Sequence, residues 1–430
     1  MATPGDTGSA GGAGGAGGAA ILELEVGDIA GGGGCVGRAP DGRVVFVRHA
    51  LPGERVTALV TATTTSYLRA DAVAILRPSP DRVPPPCPHA GPGRCGGCDF
   101  QHVELSAQRR LKAFRVTEQL ARVAAVERTV EVEPVAGDEG GLGWRSRVGL
   151  AVDDHGAVGF RRHRSHELEH VDACPIASPA VAATGALTTR WPGVAHLEVV
   201  TGTRPGEALV TVTPRGREAP RLPGVDAGIV VRRTVRRPPG AVHAAVGGRT
   251  YRISAGVFWQ VHIGAAEALL QAVLAMAGDC RGSSVVDLYA GAGLFSVPLA
   301  EAVGPSGSVL AVERDARACD DARHNAREFP NLRVTRAAVT PRLAASGIGR
   351  PDVVVLDPAR EGAGTEVARA LAAHTTLRRV VYVACEPSSF ARDLRALLDE
   401  GWRLTELRAF DIFPMTEHVE LVAALDPPGP

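Results

Sequence analysis

Lysine is all but missing from this 430-residue chain: Lys112 is the only one, and every other basic residue is arginine. With so much Ala and Gly this reads as GC-rich coding bias, and the arginine preference carries no weight of its own. Net charge is absent too, with 47 basic against 47 acidic residues. That excludes a polybasic nucleic-acid sleeve but not a local basic face. Aromatics make up only 4%, beside 45% hydrophobic and 22% charged residues, the composition of an ordinary globular protein. No window reaches the ~18 consecutive apolar residues of a membrane helix. The opening MATPGDTGSAGGAGGAGGAA has neither the charged start nor the apolar core of a secretory signal, so the chain is expected to be cytoplasmic, without a membrane partner. Eight cysteines are too sparse for a disulfide scaffold at this length, and clustered thiols in a reducing compartment suggest metal or catalysis.

At roughly 100 to 200 residues per domain, the length leans toward two or three units. Residues 1–20 offer too little apolar surface to offset the entropy of ordering and are predicted to be a disordered tail. From residue 21 to 78, short apolar runs alternate with turns, among them Asp41-Gly42, and five strands are expected to form a small barrel of OB type. Pro78, Pro80 and Pro84-Pro85-Pro86 cannot continue a sheet and mark a boundary. A central region is expected over 79–255, with helical spacing at Leu105, Leu111, Phe114, Leu120 and Val123, then strand-like stretches. Arg204 to Arg252 holds ten Arg against three acids, either a solvated face or a surface that tracks a phosphate backbone. From residue 256 to 430, strands alternate with helices, which predicts an α/β, Rossmann-like domain with a parallel sheet; LRAFDIFPMTEHVELVAAL leaves no room for a crossover and predicts a terminal antiparallel hairpin.

Within that last region, Val285 to Gly293 is an apolar strand running into a glycine turn, where missing side chains let a ligand approach the backbone. Asp287 and Gly291 belong to this motif. The next strand ends about 20 residues on at Glu313, where adenosine-binding folds accept ribose hydroxyls. Ser296 stands at the third glycine position, which argues against a dinucleotide pyrophosphate. Asp357-Pro358-Ala359-Arg360 closes another strand at the same edge, with Asp357 expected to face the ligand. Cys385 leaves the strand VVYVA at that edge too, where a thiolate could be stabilised, although a buried structural cysteine is the commoner case. Strand alternation is expected to put His418 and Glu420 on one face, so that a thiolate nucleophile and a carboxylate base meet. Cys87, Cys95 and Cys98, with Cys174 much later, form a thiol quartet whose spacing suits either zinc or an iron–sulfur cluster.

GRVVFVRHALPGE, CGGCDFQH, FWQVH, DLYAGAGLF, LDPAR, YVACEPSSFARDL and DIFPMTEHVE, in that order, resemble the RNA uracil-5-methyltransferases over residues 21–424. The resemblance implies an N-terminal TRAM domain of OB type, a class I methyltransferase domain, S-adenosylmethionine as cofactor and 5-methyluridine in structured RNA, ribosomal or transfer, as product, with no obligate protein partner. It makes Cys385 the nucleophile that adds to uracil carbon 6, and Glu420, ionised at its ordinary pKa, the base that removes the carbon 5 proton. Gln260, Tyr289, Glu313 and Asp357 would contact the cofactor, and Cys87, Cys95, Cys98 and Cys174 would hold a [4Fe-4S] cluster. Arg360 and Glu417 are candidate substrate contacts. Departures are His262 where the family often has Asn, Leu294 after the glycine turn, and a first cysteine interval two residues longer. Cys35, Cys280 and Cys319 fall in no pattern and are read as packing residues. His89, His102, His163, His166 and His170 are read as surface or RNA-contact groups. Rival readings are cytosine or small-molecule methylation, or a non-catalytic RNA-binding iron–sulfur protein.

Overall fold

The computed structural model describes residues 20–429, so the tail predicted to lack order lies, apart from Ala20, outside the described residues. Contacts divide the chain at Ser79/Pro80, with Ile29–Gly33 counted in the second unit. In the first unit, strands Ile21–Glu25, Cys35–Arg38, Val44–Arg48, Arg55–Thr63 and Tyr67–Arg77 form one sheet in the order first, fourth, fifth, third, second. Inward alternation of Leu24, Val45, Val47, Val56, Ala58, Leu68 and Ala70 fills its core, and Cys35 is part of that packing.

The second unit holds a seven-stranded, mostly antiparallel sheet running from Thr234–Arg237 to Leu168–His170, with Val148, Leu150, Trp191, Leu197 and Val210 buried against it. Its other large sheet has eight strands. They are β1 (Val132–Pro134), β2 (Ser284–Leu288), β3 (Ser308–Glu313), β4 (Leu332–Arg336), β5 (Val353–Leu356), β6 (Arg379–Ala384), β7 (Arg403–Asp411) and β8 (Glu420–Asp426), in the order β4-β3-β2-β5-β6-β8-β7-β1. Strands β2 to β6 are parallel, and all but the edge strand β4 read as largely apolar runs because helices cover both faces. The terminal pair β7–β8 is antiparallel, as its short connection requires. β1 comes from the segment assigned to the central region, yet it lies parallel to β7 as an edge strand.

Five helices serve this sheet: α2 (Ala265–Ala277), α3 (Ser296–Val303), α4 (Ala316–Asn325), α5 (Thr365–Ala372) and α6 (Pro387–Asp399). Two apolar clusters, one including α2 and α3 and the other α5 and α6, sandwich the strands. An earlier helix, α1 (Leu105–Gln119), forms within the stretch of helical spacing; Phe114 is exposed on it, while Gln108, Lys112 and Arg115 are buried with Ala107 and Val116.

Candidate active site

The strand order reverses beside β2, and open parallel sheets place ligands outside the carboxyl ends of the strands at such a point. β2 ends in the turn Tyr289 to Gly293. Tyr289, Gly291 and Gly293 all take left-handed backbone conformations, at φ 64°, 54° and 91°. For tyrosine that conformation is strained, a feature that clusters at ligand sites. At Gly291 a Cβ would meet nothing within 4 Å, so the glycine supplies its backbone conformation beside open space.

Glu313 closes β3 against this turn. Its Oε2 accepts the Gly291 amide at 3.0 Å and its Oε1 the Asp315 amide at 2.7 Å. A carboxylate has about four acceptor positions, so two remain for a diol. Asp287 is fully buried; Ser296 donates its hydroxyl to Oδ2, which is what the serine at the third glycine position does, and Oδ1 has no partner among the described residues. Burial, only partly offset by Ser296, pushes the Asp287 carboxyl up to about 7.

Asp357 follows β5, Cys385 follows β6 and Glu420 opens β8. The register pairs Ala384 with Leu421, which sets Cys385 against Glu420 across the antiparallel seam, with Asp357 at the end of the next strand. Burial pushes the Cys385 thiol up to about 12, and Glu420 and Asp357 push the same way while Arg360 opposes them. Glu420 is 3% exposed; burial first, and Asp357 second, raise its carboxyl well above the ordinary range. Asp357 itself is pushed up to about 7, by burial and then by Asp287. Against the expectation of an ordinary pKa for Glu420, burial and Asp357 both favour its protonated form in the ligand-free protein. Crowded like charges and poor solvation shift this cluster toward its protonated forms.

His418 does not share a strand face with Glu420, because β8 begins only at Glu420. It lies in the preceding loop, where Arg360 donates to its Nε2 at 3.1 Å, and burial followed by the Arg360 charge lowers it to about 4. The imidazole is neutral and an acceptor toward Arg360. Glu417 is engaged inside the protein: its Oε2 accepts from Arg115 at 2.6 Å and from the Gly32 amide at 2.7 Å. Gln260 is buried between Arg249–Ser254 and α2, lining a small cavity with Arg147, Thr201, His243 and His262. His262 is a core residue, its ring stacked on Trp144 at 5.6 Å and its Nδ1 accepting the Gly264 amide. Leu294 is buried, and its carbonyl accepts the Tyr251 hydroxyl at 3.4 Å.

Sequence reasoning missed a second buried network. The Tyr382 hydroxyl donates to Asp393 Oδ2 at 2.8 Å and accepts the Ala363 amide at 2.9 Å, and Asp393 also accepts the Gly364 amide. These bonds hold the loop after Asp357 that carries Arg360. A tyrosine on an otherwise aliphatic strand was the available signal.

Cys87, Cys95, Cys98 and Cys174 line one cavity with His89, Phe160 and Val171. Burial raises Cys95 to about 11 and Cys98 to about 12, and Cys174 in the same direction; the other thiols of the group add to each. No three His, Cys, Asp or Glu among the described residues are gathered to hold a metal ion. His89 Nδ1 is paired with Glu169 at 3.1 Å. Cys280 and Cys319 are buried in packing roles, as read.

Residues 20–73 match the TRAM domain family and residues 349–426 the tRNA (Uracil-5-)-methyltransferase family. Among curated proteins, the chain is 46% identical to one described as an uncharacterized RNA methyltransferase of Streptomyces coelicolor, covering 94% of this chain and 92% of that protein. It is 32% identical to a 23S rRNA (uracil(1939)-C(5))-methyltransferase of Psychrobacter arcticus, over 90% and 84% of the two chains. The fold is that of the Pyrococcus abyssi tRNA (uracil-54, C5)-methyltransferase solved with S-adenosyl-L-homocysteine, at TM-score 0.71 and 22% identity over 94% of this chain and 99% of that one.

Proposed function

The chain belongs to the TRAM-bearing RNA (uracil-5-)-methyltransferase family, S-adenosylmethionine-dependent enzymes, and from that premise we propose that it methylates carbon 5 of a uridine in structured RNA through Cys385 and Glu420. The observation that carries this reading is the β6–β8 register, which sets a thiol and a carboxyl against each other at the ligand edge of the sheet. The Psychrobacter relative makes ribosomal RNA the first substrate to try.

Uracil carbon 5 is a poor nucleophile. The Cys385 sulfur gives up its proton to solvent, forms a bond to carbon 6 and moves the ring electrons onto carbon 5 and the carbonyl, making an enolate-like centre whose carbon 5 can take up a methyl group. When bound, S-adenosylmethionine supplies an electrophilic methyl group and a positive charge. Glu420, as carboxylate, then takes the proton from carbon 5; the carbon 6–sulfur bond breaks as the ring double bond returns, and the thiolate leaves. A cation beside Asp357 and Glu420 favours their ionised forms, which links proton release from this cluster to cofactor binding. Arg360 is the cation of this chain that opposes the site's negative charge, acting on both Cys385 and Glu420. The target base has to leave its stack to meet the sulfur from above the ring.

For the cofactor we assign the ribose to Glu313, whose carboxylate keeps acceptor positions free, the backbone approach to Tyr289 and Gly291, and the methionine end to Asp357. Asp287 supports the turn from beneath, and Gln260 is kept as a cofactor contact on the resemblance alone. The four thiols of the quartet share one cavity, a donor set that suits zinc or a [4Fe-4S] cluster, and on the resemblance we assign it to the cluster. There Cys87, Cys95, Cys98 and Cys174 would bind the cluster.

RNA containing 5-fluorouridine cannot lose the carbon 5 substituent as a proton, so it tests the nucleophile. The wild type is expected to give a covalent enzyme–RNA adduct on a denaturing gel, and Cys385→Ala none. Equal behaviour of the two proteins removes Cys385 from the mechanism.

A further inference from the structure

The loop 412–419 connects β7 to β8 and delivers the chain to Glu420. It includes Met415, a non-glycine residue at φ 66°, and it has no regular structure of its own. Its geometry comes from α1, which presents Gln108, Lys112 and Arg115 on one face at spacings of four and three.

Each of the three grips a different point. Gln108 Oε1 accepts the Met415 amide at 2.8 Å, while its Nε2 donates to the Phe100 and Val103 carbonyls. Lys112, fully buried, donates to Asp411 Oδ1 at 2.5 Å and to the Phe413 carbonyl at 2.9 Å. Arg115 holds the Glu417 carboxylate at 2.6 Å, and its other terminal nitrogen lies 4.0 Å from Glu386, the residue after Cys385. The same guanidinium thus touches the segment that carries the nucleophile and the loop that leads to the base.

Stability alone is a weak reason for such an arrangement. A buried ion pair seldom outperforms packed apolar residues of the same volume, and this one leaves Asp411 Oδ2 without a partner among the described residues. In a chain otherwise devoid of lysine, an arginine at this position would have to fit a planar fork where a compact ammonium bridges one carboxylate and one carbonyl.

We propose that the buried polar stripe Gln108–Lys112–Arg115 is a positioning device that fixes where Glu420 stands relative to Cys385. Lys112 touches neither substrate nor cofactor; it acts through the loop. The inference rests on Glu420 being the base, and it makes proton removal and release of the thiol the steps that depend on α1.

The test uses the full-length protein, ordinary uridine-containing RNA and S-adenosylmethionine. Single-turnover methyl transfer and the lifetime of the covalent adduct are followed separately, with melting temperature as the structural control. In Glu420→Gln the methylated adduct is expected to accumulate. Lys112→Met should do the same, with product release slowed roughly 100-fold, the scale of a displacement of about 1 Å, and methyl transfer slowed far less. The double variant Lys112→Met/Asp411→Leu, which removes both members of the buried pair, should regain melting temperature without regaining release. Arg115→Met, which leaves that pair intact, should also lengthen the adduct's lifetime and supplies the same readout should Lys112→Met not fold. Release at the wild-type rate in Lys112→Met, or release that recovers together with melting temperature in the double variant, overturns the proposal. If Glu420→Gln accumulates no adduct, it is the assignment of the base that falls.

Discussion

Replacing Asp287 by asparagine isolates the cost of a buried acid beneath the glycine turn. The side chain is fully buried, one oxygen accepts from Ser296, the other has no partner among the described residues, and burial lifts the carboxyl from its ordinary value of 3.8 to about 7. A folded-state pKa above the unfolded one means that the folded protein binds the extra proton. The stability this contributes is fully present below about pH 4 and is lost as pH rises through about 7. A shift of about three units at ~1.36 kcal/mol per unit makes the whole loss ~4 kcal/mol, of which ~2–3 kcal/mol falls between about pH 5 and 8. Asparagine keeps an acceptor for Ser296 and cannot ionise. In the ligand-free protein the melting temperature of Asp287→Asn, measured against the wild type from pH 5 to 8, should therefore gain on it by roughly 5–10 °C, taking ~2–4 °C per kcal/mol. Parallel curves for the two proteins would show that Asp287 does not titrate in this range. A variant destabilised by the same large amount at every pH would show that the folded protein needs the charge.

Gly362→Ala puts a Cβ 2.5 Å from Asp393 Oδ2 at a left-handed position, φ 78°, and should cost ~2–4 kcal/mol while displacing the loop that carries Arg360. Thermal unfolding and kcat/KM check it, and an unchanged melting temperature would refute the packing argument. Cys98→Ser should lower the iron and sulfide bound after anaerobic purification without adding zinc, whereas stoichiometric zinc in colourless wild-type protein would end the cluster reading.

The carboxyl edge of the parallel sheet was legible because strand ends are local events. Apolar runs that stop at Asp287, Glu313, Asp357 and Cys385 announce buried parallel strands, and the residue where each run stops lies at the carboxyl edge whatever the order of the sheet. The alternation applied to His418 and Glu420 failed because period two holds only inside a strand, and β8 starts after His418. Helix α1 was legible as a helix from its apolar spacing, whereas the partners of its three buried polar side chains lie more than 290 residues away and were not.

The sequence alone determined the list of chemical groups and the element on which each sits, since glycine turns, strand ends and thiol spacing are set by residues next to one another. The tertiary structure decided how deeply those groups are buried, which charges face them, and the grip of Lys112 on a loop far along the chain. Burial and the approach of like charges depend on which strands become neighbours, and no short stretch of chain contains that information.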